Sequence, residues 1–231
     1  MFSVSNLFDL AGTDHAQIFE NTKYAWDALK NIRGYVDANL KPIQSHRSKG
    51  AAQVAENVAL GEGTVVEHGA LIQGPSIIGR NCRIRHNAYI RPYSIIGDNC
   101  VIGNACEIKH SLIFNGCQVP HFNYVGDSIL GAKAHLGAGV KISNLKLTEG
   151  TVLIDEVDQS GMPIDTGLRK FGALIGDEAE IGCNAVLNPG TILGRQSIVY
   201  PNVNWRGILP EHMMAKNRSP VDVVMGRPRT T

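Results

Sequence analysis

One regularity limits what this chain can become: from Val54 onward an apolar residue recurs at every sixth position. Positions 54, 60, 66, 72, 78, 84, 90, 96, 102, 108 and 114 read Val, Leu, Val, Ile, Ile, Ile, Ile, Ile, Ile, Ile and Phe. With about half of residues apolar on average, such a run has odds on the order of 10⁻³ or less in a given frame. A helix repeats at about 3.6 residues and a strand at about 2, and neither generates six. Four places further into each hexad, eight of eleven residues are Thr, Ala, Ser or Cys. Gly61, Gly79, Gly97 and Gly103 follow the aliphatic directly. A fixed hexapeptide period implies an all-β fold, a parallel β-helix. Each hexad is one short strand plus a corner, and three hexads close a triangular coil. Coils stack about 4.8 Å apart, with the aliphatic pointing into a narrow prism and the small residue beside it.

The period then slips. Phe114 to Val119 is five residues, Val119 to Val125 six, and Val125 to Leu130 five. It resumes at Leu130, Leu136 and Ile142, drops out over 144–174, and returns at Ile175, Ile181, Leu187, Leu193 and Val199. Roughly twenty hexads imply between six and seven coils. The expected organisation is a helical extension and linker over 1–50, a β-helix over 51–209 with a long loop at 144–174, and a tail over 210–231. Within the extension, Ala25, Leu29, Ile32, Val36 and Leu40 fall on one helical face, which predicts a helix from about Thr22 to Leu40. Gln44 to Gly50 reads as a polar linker.

Composition excludes several classes. Glycine is high at 25 of 231 residues, which fits many tight corners rather than long helices. The formal net charge of +1 offers no basic field for nucleic acid and no acidic field for a charged partner. No apolar run approaches the ~18 residues of a membrane span, and no basic and apolar leader opens the chain. The expectation is a cytoplasmic protein that touches neither nucleic acid nor membrane. The five cysteines form no C-x-x-C pair, so neither a zinc ribbon nor a redox motif is indicated. They read as reduced thiols, three of them at the small-residue position of the repeat.

The phase break frames the candidate site. V-P-H-F-N-Y-V-G-D at 119–127 interrupts the repeat and holds His121 between a proline and an aromatic pair. Functional residues often sit where a local rule is broken. His68 and His86 are eighteen residues apart, so they stack one coil above the other. A solvated polar ladder fits them better than a metal site. Arg91 and Lys109 have the same spacing and read as a basic stripe or an anion site.

These motifs together have a familiar order: R-P at 91–92, E-I-K at 107–109, the 119–127 motif, L-G-A-G at 136–139, S-N at 143–144 and R-K-F-G-A-L-I-G-D at 169–177. The chain over about 55–220 resembles the acetyltransferase domain of bifunctional sugar-1-phosphate enzymes, most of all the archaeal type. Hexapeptide helices of this kind resemble left-handed parallel β-helices, an exception to right-handed crossovers. The resemblance implies acetyl transfer from acetyl-CoA to the amine of glucosamine-1-phosphate or galactosamine-1-phosphate, with no metal required. It makes His121 the general base, a role suited to a group titrating near neutral pH. Arg91 and Lys109 would hold the phosphate, one as a fork and one as a point charge. Tyr124 matches a sugar-contacting tyrosine and Asn144 an asparagine near the acceptor. Lys170 matches a lysine that the family delivers from a neighbouring subunit. Gly137-Ala138-Gly139 would offer a fixed N–H to the oxyanion. Ala138, Gly139, Cys183, Pro201 and Arg218 fall where the family meets its coenzyme.

Three departures accompany the match. His135 stands where the family often has an asparagine near the substrate. Pro201 replaces a small residue and supplies no N–H. The L-x-x-G-x-G-T-R pattern of the paired nucleotidyltransferase is absent, and the helix around Y-A-W-D-A-L-K at 24–30 resembles the linker that follows that domain. The expectation is an enzyme of the acyl step alone, with a separate nucleotidyltransferase as a possible partner. Because one prism has flat faces, the resemblance implies a homotrimer with sites between subunits. The rival reading is a non-catalytic β-helical scaffold. A carbonic-anhydrase-like protein is disfavoured, since no two histidines stand five residues apart.

Overall fold

The structure, a computed structural model, describes residues 2–41, 47–48, 51–157 and 162–217. Three parallel sheets of nine, eight and eight strands form the faces of a prism, designated I, II and III in the order that the chain visits them. Face I runs from Arg47–Ser48 to Met214–Ala215, face II from Gln53–Val54 to Asn204–Trp205, and face III from Val58–Leu60 to Ile208–Leu209. The architecture matches the left-handed β-helix class expected from the repeat. Among the described residues, no helix is long and apolar enough to cross a membrane.

The inward column of each face is aliphatic and buried: Ile84 and Ile102 on face I, Ile72 and Ile90 on face II, Ile78 and Ile96 on face III. Four of the cysteines, Cys82, Cys100, Cys106 and Cys117, fill small inward positions as free thiols. The stack is longer than six to seven coils. Its last rungs turn Trp205 and Ala215 inward, and neither continues an aliphatic period.

The phase slip also lies elsewhere than the sequence places it. Ile113, not Phe114, faces the prism. Phe114 points the other way, into a second core, with its ring 5.2 Å from Phe8 and 6.0 Å from Phe19. The shortened intervals are therefore Ile108 to Ile113 and Val125 to Leu130. Both fall at the corner between faces II and III, and the pairing offset drops from eighteen, as in Ile77↔Ile95, to seventeen, as in Leu112↔Ile129.

That second core is the work of the N-terminal segment. Leu7, Phe8, Ile18, Phe19, Trp26, Leu29, Ile32 and Val36 pack on the outer side of face III, against Ile95, Leu112, Ile129, Leu174 and Ile192. Face III is thus buried on both sides, and its strands read as continuous apolar pairs rather than alternating ones. After the short helix α1 (Val4–Leu7), the main helix α2 spans Ala28–Asn39, entered through a 3-10 turn at Ala25–Asp27. It starts later than Thr22 because Asn21 has φ 59° and Tyr24 is extended. The Asp27 carboxylate then accepts from the Tyr24 N–H at 2.9 Å and closes the entry turn. The 44–50 linker lies largely outside the described residues.

The 144–174 excursion has structure of its own. Leu153–Val157 pairs antiparallel with Pro163–Asp165. Its base is closed by a bridge between Leu145 and Lys170 and by the Phe171 N–H donating to the Asn144 carbonyl at 3.0 Å.

Candidate functional site

Two corners of the prism flank face II, and the predicted residues divide between them. The I–II corner is a ladder of backbone hydrogen bonds. Phe122 N–H donates to Asn104 O, Gly139 N–H to His121 O, Asn184 N–H to Ala138 O, and Asn202 N–H to Cys183 O, at 2.8–2.9 Å. His121, Ala138, Cys183 and Pro201 are therefore successive rungs of one column. His68 and His86 belong to the same column lower down, with rings stacked at 5.7 Å and an interplanar angle of 19°. Among the described residues no group of three His, Cys, Asp or Glu is placed to hold a metal.

His121 ends the strand Gln118–His121, paired with Asn104 of the coil below. Gly103 allows this: a Cβ there would stand 1.5 Å from the Pro120 carbonyl oxygen. Asn123, which is buried, pins the turn from inside. Its Oδ1 accepts from the His121 N–H at 3.0 Å and its Nδ2 donates to the Gly137 carbonyl at 2.7 Å. The imidazole itself is exposed and has no hydrogen-bond partner among the described residues; its ring lies 6.3 Å from that of Phe122.

One coil up, the glycine-rich turn has a specific pattern of free donors. Gly137 N–H is taken by the Ile181 carbonyl and Gly139 N–H by that of His121. The Ala138 N–H has no partner among the described residues, and neither has the Cys183 N–H in the next coil. Pro201 follows at the same point and has no N–H to offer. Lys141 braces the turn by donating to the Gly139 carbonyl at 2.6 Å.

The II–III corner holds the charges. A cavity of about 450 Å³ is lined by Arg33, Arg91, Lys109, His110, Asp127 and Lys170, with Pro92 and Tyr93 on its wall. Arg91 Nη1 meets Glu107 Oε1 at 3.0 Å and Lys109 Nζ meets Asp127 Oδ2 at 2.6 Å. Asp127 also accepts from His110 Nδ1 at 3.0 Å and from the Asn144 amide. Burial pushes this carboxyl up, but the bonds from His110, Lys109 and Asn144 outweigh it and hold it below the usual carboxylate range. Tyr124 stands between the two corners, bonded to Asn144. Burial, with Glu107 and Asp127 nearby, pushes its phenol up. Gly126 clears the space beside it, because a Cβ there would lie 2.7 Å from the Tyr124 hydroxyl and 2.8 Å from Asn144 Nδ2.

The structure thus brings Arg91, Lys109, Tyr124, Asn144 and Lys170 together, and aligns His121 with Ala138, Gly139, Cys183 and Pro201. One predicted residue is placed apart from the others. His135 lies on face I, where its Nδ1 pairs with Glu180 Oε2 at 2.8 Å, so it joins neither corner. Lys170 stands at the root of the excursion, beside its closed base, and lines the cavity within this chain. Arg218 lies outside the described residues. Sequence reasoning missed Arg33, His110 and Asp127. Asp127 carried a signal: it stands eighteen residues after Lys109, the spacing that sets Lys109 after Arg91.

Comparison with known proteins gives a consistent pattern. Residues 72–162 match the family model described as the GMPPB C-terminal domain. A bifunctional protein GlmU of Methanococcus maripaludis is 31% identical over 193 residues, covering 84% of this chain and 46% of that protein. A bifunctional sugar-1-phosphate nucleotidylyltransferase/acetyltransferase of Sulfurisphaera tokodaii is 39% identical over 100 residues, 43% of this chain and 24% of that protein. The chain therefore spans less than half the length of these bifunctional relatives. A putative uncharacterized acetyltransferase of Escherichia coli, YaiX, is 34% identical over 176 residues, 75% of each chain. Among solved structures, an Arabidopsis UDP-N-acetylglucosamine acyltransferase aligns with a TM-score of 0.45 at 14% identity, over 76% of this chain and 69% of that one.

Proposed function

The chain belongs to the hexapeptide-repeat acetyltransferases related to the GlmU-type bifunctional enzymes, and from that premise we propose that it moves the acetyl group of acetyl-CoA to the amine of an amino-sugar 1-phosphate, with His121 as general base. The observation that carries the reading is the division of labour across face II. An unpartnered imidazole stands at one corner, a cavity lined by four cations at the other, and Tyr124 between them. The Sulfurisphaera tokodaii relative, a bifunctional sugar-1-phosphate nucleotidylyltransferase/acetyltransferase, supports a sugar 1-phosphate as acceptor.

The chemistry follows from these placements. A sugar ammonium cannot attack a thioester until it loses a proton, and the free imidazole is there to accept it. The amine nitrogen then bonds to the thioester carbonyl carbon, and negative charge builds on the carbonyl oxygen. The unpartnered Ala138 N–H is the donor in the turn above His121 able to meet that oxygen. Collapse breaks the carbon–sulfur bond, the proton held by His121 passes to the departing thiolate, and the nitrogen releases its second proton to water, which leaves the neutral amide, the free thiol and one proton. The coenzyme arm would lie along the I–II corner past Cys183 and Pro201. Three rungs at about 4.8 Å each give that column roughly 14 Å. The phosphate would sit in the cation cavity. The step asks for no metal ion. We place the enzyme in a homotrimer whose neighbouring prism walls the coenzyme side of face II, with a separate nucleotidyltransferase using the product.

The test is thiol release from acetyl-CoA with glucosamine-1-phosphate and galactosamine-1-phosphate as acceptors. His121→Ala is expected to lower kcat by ~10²–10⁴ while KM values move little. A His121→Ala protein with near wild-type turnover, or a wild type inactive on both acceptors, overturns the proposal.

A further inference from the structure

We infer that Arg33, carried by α2 of the N-terminal segment, is a fourth phosphate-binding residue of the acceptor cavity and sets its preference for a phosphomonoester dianion. This rests on the reading that the cavity takes the acceptor's phosphate. It adds that a segment outside the β-helix completes the site.

The charge pattern of the cavity carries the inference. Of its four cations, two are already engaged: Arg91 with Glu107 at 3.0 Å and Lys109 with Asp127 at 2.6 Å. Arg33 and Lys170 have no carboxylate partner among the described residues. Two uncompensated positive charges remain, which match the charge of a phosphate monoester near neutral pH, about −1.5 to −2. Without Arg33 the cavity would hold one free cation for a dianion.

The position of Arg33 is built. Leu29, Ile32 and Val36 are buried against face III and fix the rotation of α2 about its axis. Arg33 follows Ile32 directly, so its side chain leaves the helix where that docking puts it. Its guanidinium then lies over the Tyr93 ring, 4.3 Å from the centroid. Tyr93 is held there by a left-handed backbone, φ 61°, which bulky L-residues seldom adopt. The stacking leaves the guanidinium N–H edge free, and that edge is the part suited to a forked contact with phosphate oxygens.

Two measurements test this, one of them independent of turnover. In calorimetric titration of the full-length protein with inorganic phosphate, Arg33→Gln is expected to bind about tenfold or more weakly than wild type. Arg33→Lys, which keeps the charge and loses the fork, is expected to fall between the two. In the acetyl-transfer assay, Arg33→Gln is expected to raise KM for glucosamine-1-phosphate by a similar factor, with KM for acetyl-CoA unchanged. The preference for glucosamine-1-phosphate over glucosamine falls by the same factor. Tyr93→Leu is expected to shift the same constants in the same direction, by less. Phosphate binding and acceptor KM unchanged in a folded Arg33→Gln protein overturn the inference while leaving the acetyl-transfer reading intact. Conversely, a wild type inactive on every amino-sugar phosphate, whose phosphate binding still depends on Arg33, defeats that reading but leaves the cation site standing.

Discussion

Removing the Asp127 carboxylate is the sharpest test of how the cation cavity is held together. Its side chain is 7% exposed and accepts from Lys109, 18% exposed, and His110, 17% exposed, as well as from Asn144. Asp127→Ala strands a lysine and a histidine that have little access to water. Breaking a fully buried pair costs about 3–5 kcal/mol, and each charged hydrogen bond is worth about 1.5–3 kcal/mol. The opening of Lys109 towards the cavity lowers the sum, so ~3 kcal/mol is the expected loss. For a domain of this size that is roughly 6–12 °C in Tm, read by calorimetry. Asp127→Asn keeps the acceptor oxygen and loses the charge, so its loss is smaller, ~1–2 kcal/mol. The pH dependence has a definite sign. The folded carboxyl titrates below its ordinary value of 3.8, so the folded state binds fewer protons than the unfolded state there. The stabilisation is present above that ordinary value and is lost as pH falls through the folded one. The comparison is therefore made from about pH 5 down to about pH 2.5. The Tm gap between wild type and Asp127→Asn is expected to shrink steadily over that range. A constant or widening gap refutes the assignment of Asp127 as the anchor of the cavity.

Two further outcomes follow from the packing and the assembly. Phe114→Ala empties a fully buried site between Phe8 and Phe19 and is expected to cost about 3–5 kcal/mol by chemical denaturation; a loss under about 1 kcal/mol would refute that burial. Light scattering at micromolar concentration is expected to give three times the 25.0 kDa chain mass, and an active monomer would defeat the trimer.

The repeat made the fold legible because a prism this narrow admits little but aliphatic and small residues inward, rung after rung. It failed where that constraint relaxes. Trp205 and Ala215 cap the last rungs without continuing the period. Phe114 satisfied the apolar test while facing outward, since a sequence cannot say which of two cores an aromatic enters. The stripe on α2 was visible, but not the surface that it packs on. So the contact between Arg33 and a tyrosine sixty residues away was invisible. His121 and its column were legible through the broken motif and the family resemblance. Asp127 lay inside that motif without a role, although its spacing of eighteen from Lys109 repeats that of Lys109 from Arg91; its second bond, to His110 at an offset of seventeen, follows from the shortened coil and is visible only in the fold.

Backbone at positive φ occurs at all three corners of the prism, with Lys133, Glu178, Gln196 and His212 at the III–I corner, and at the two corners that flank face II it falls on residues of the site. Solenoid corners need a residue at positive φ, and this chain mostly supplies glycine or asparagine, as at Asn81, Asn87, Asn99, Asn184 and Asn202. Asparagine tolerates that conformation at small cost, whereas bulky side chains do not. Three coils in succession at the II–III corner use Tyr93, His110 and Asp127 instead, with φ of 61°, 45° and 47°. At the I–II corner the exception beside His121 is Phe122, at φ 53° and 59% exposed. Exposure removes core packing as the reason for a phenylalanine there. Strained residues of order 1–3 kcal/mol persist where the surroundings over-determine them, and they gather at functional sites. Tyr93 carries the guanidinium of Arg33, and His110 and Asp127 hold each other and Lys109. Phe122 alone has its face turned to solvent, one residue from the imidazole. On the proposed reading, with His121 as base and a neighbouring prism over the corner, Phe122 would be the side chain that shields the imidazole from water.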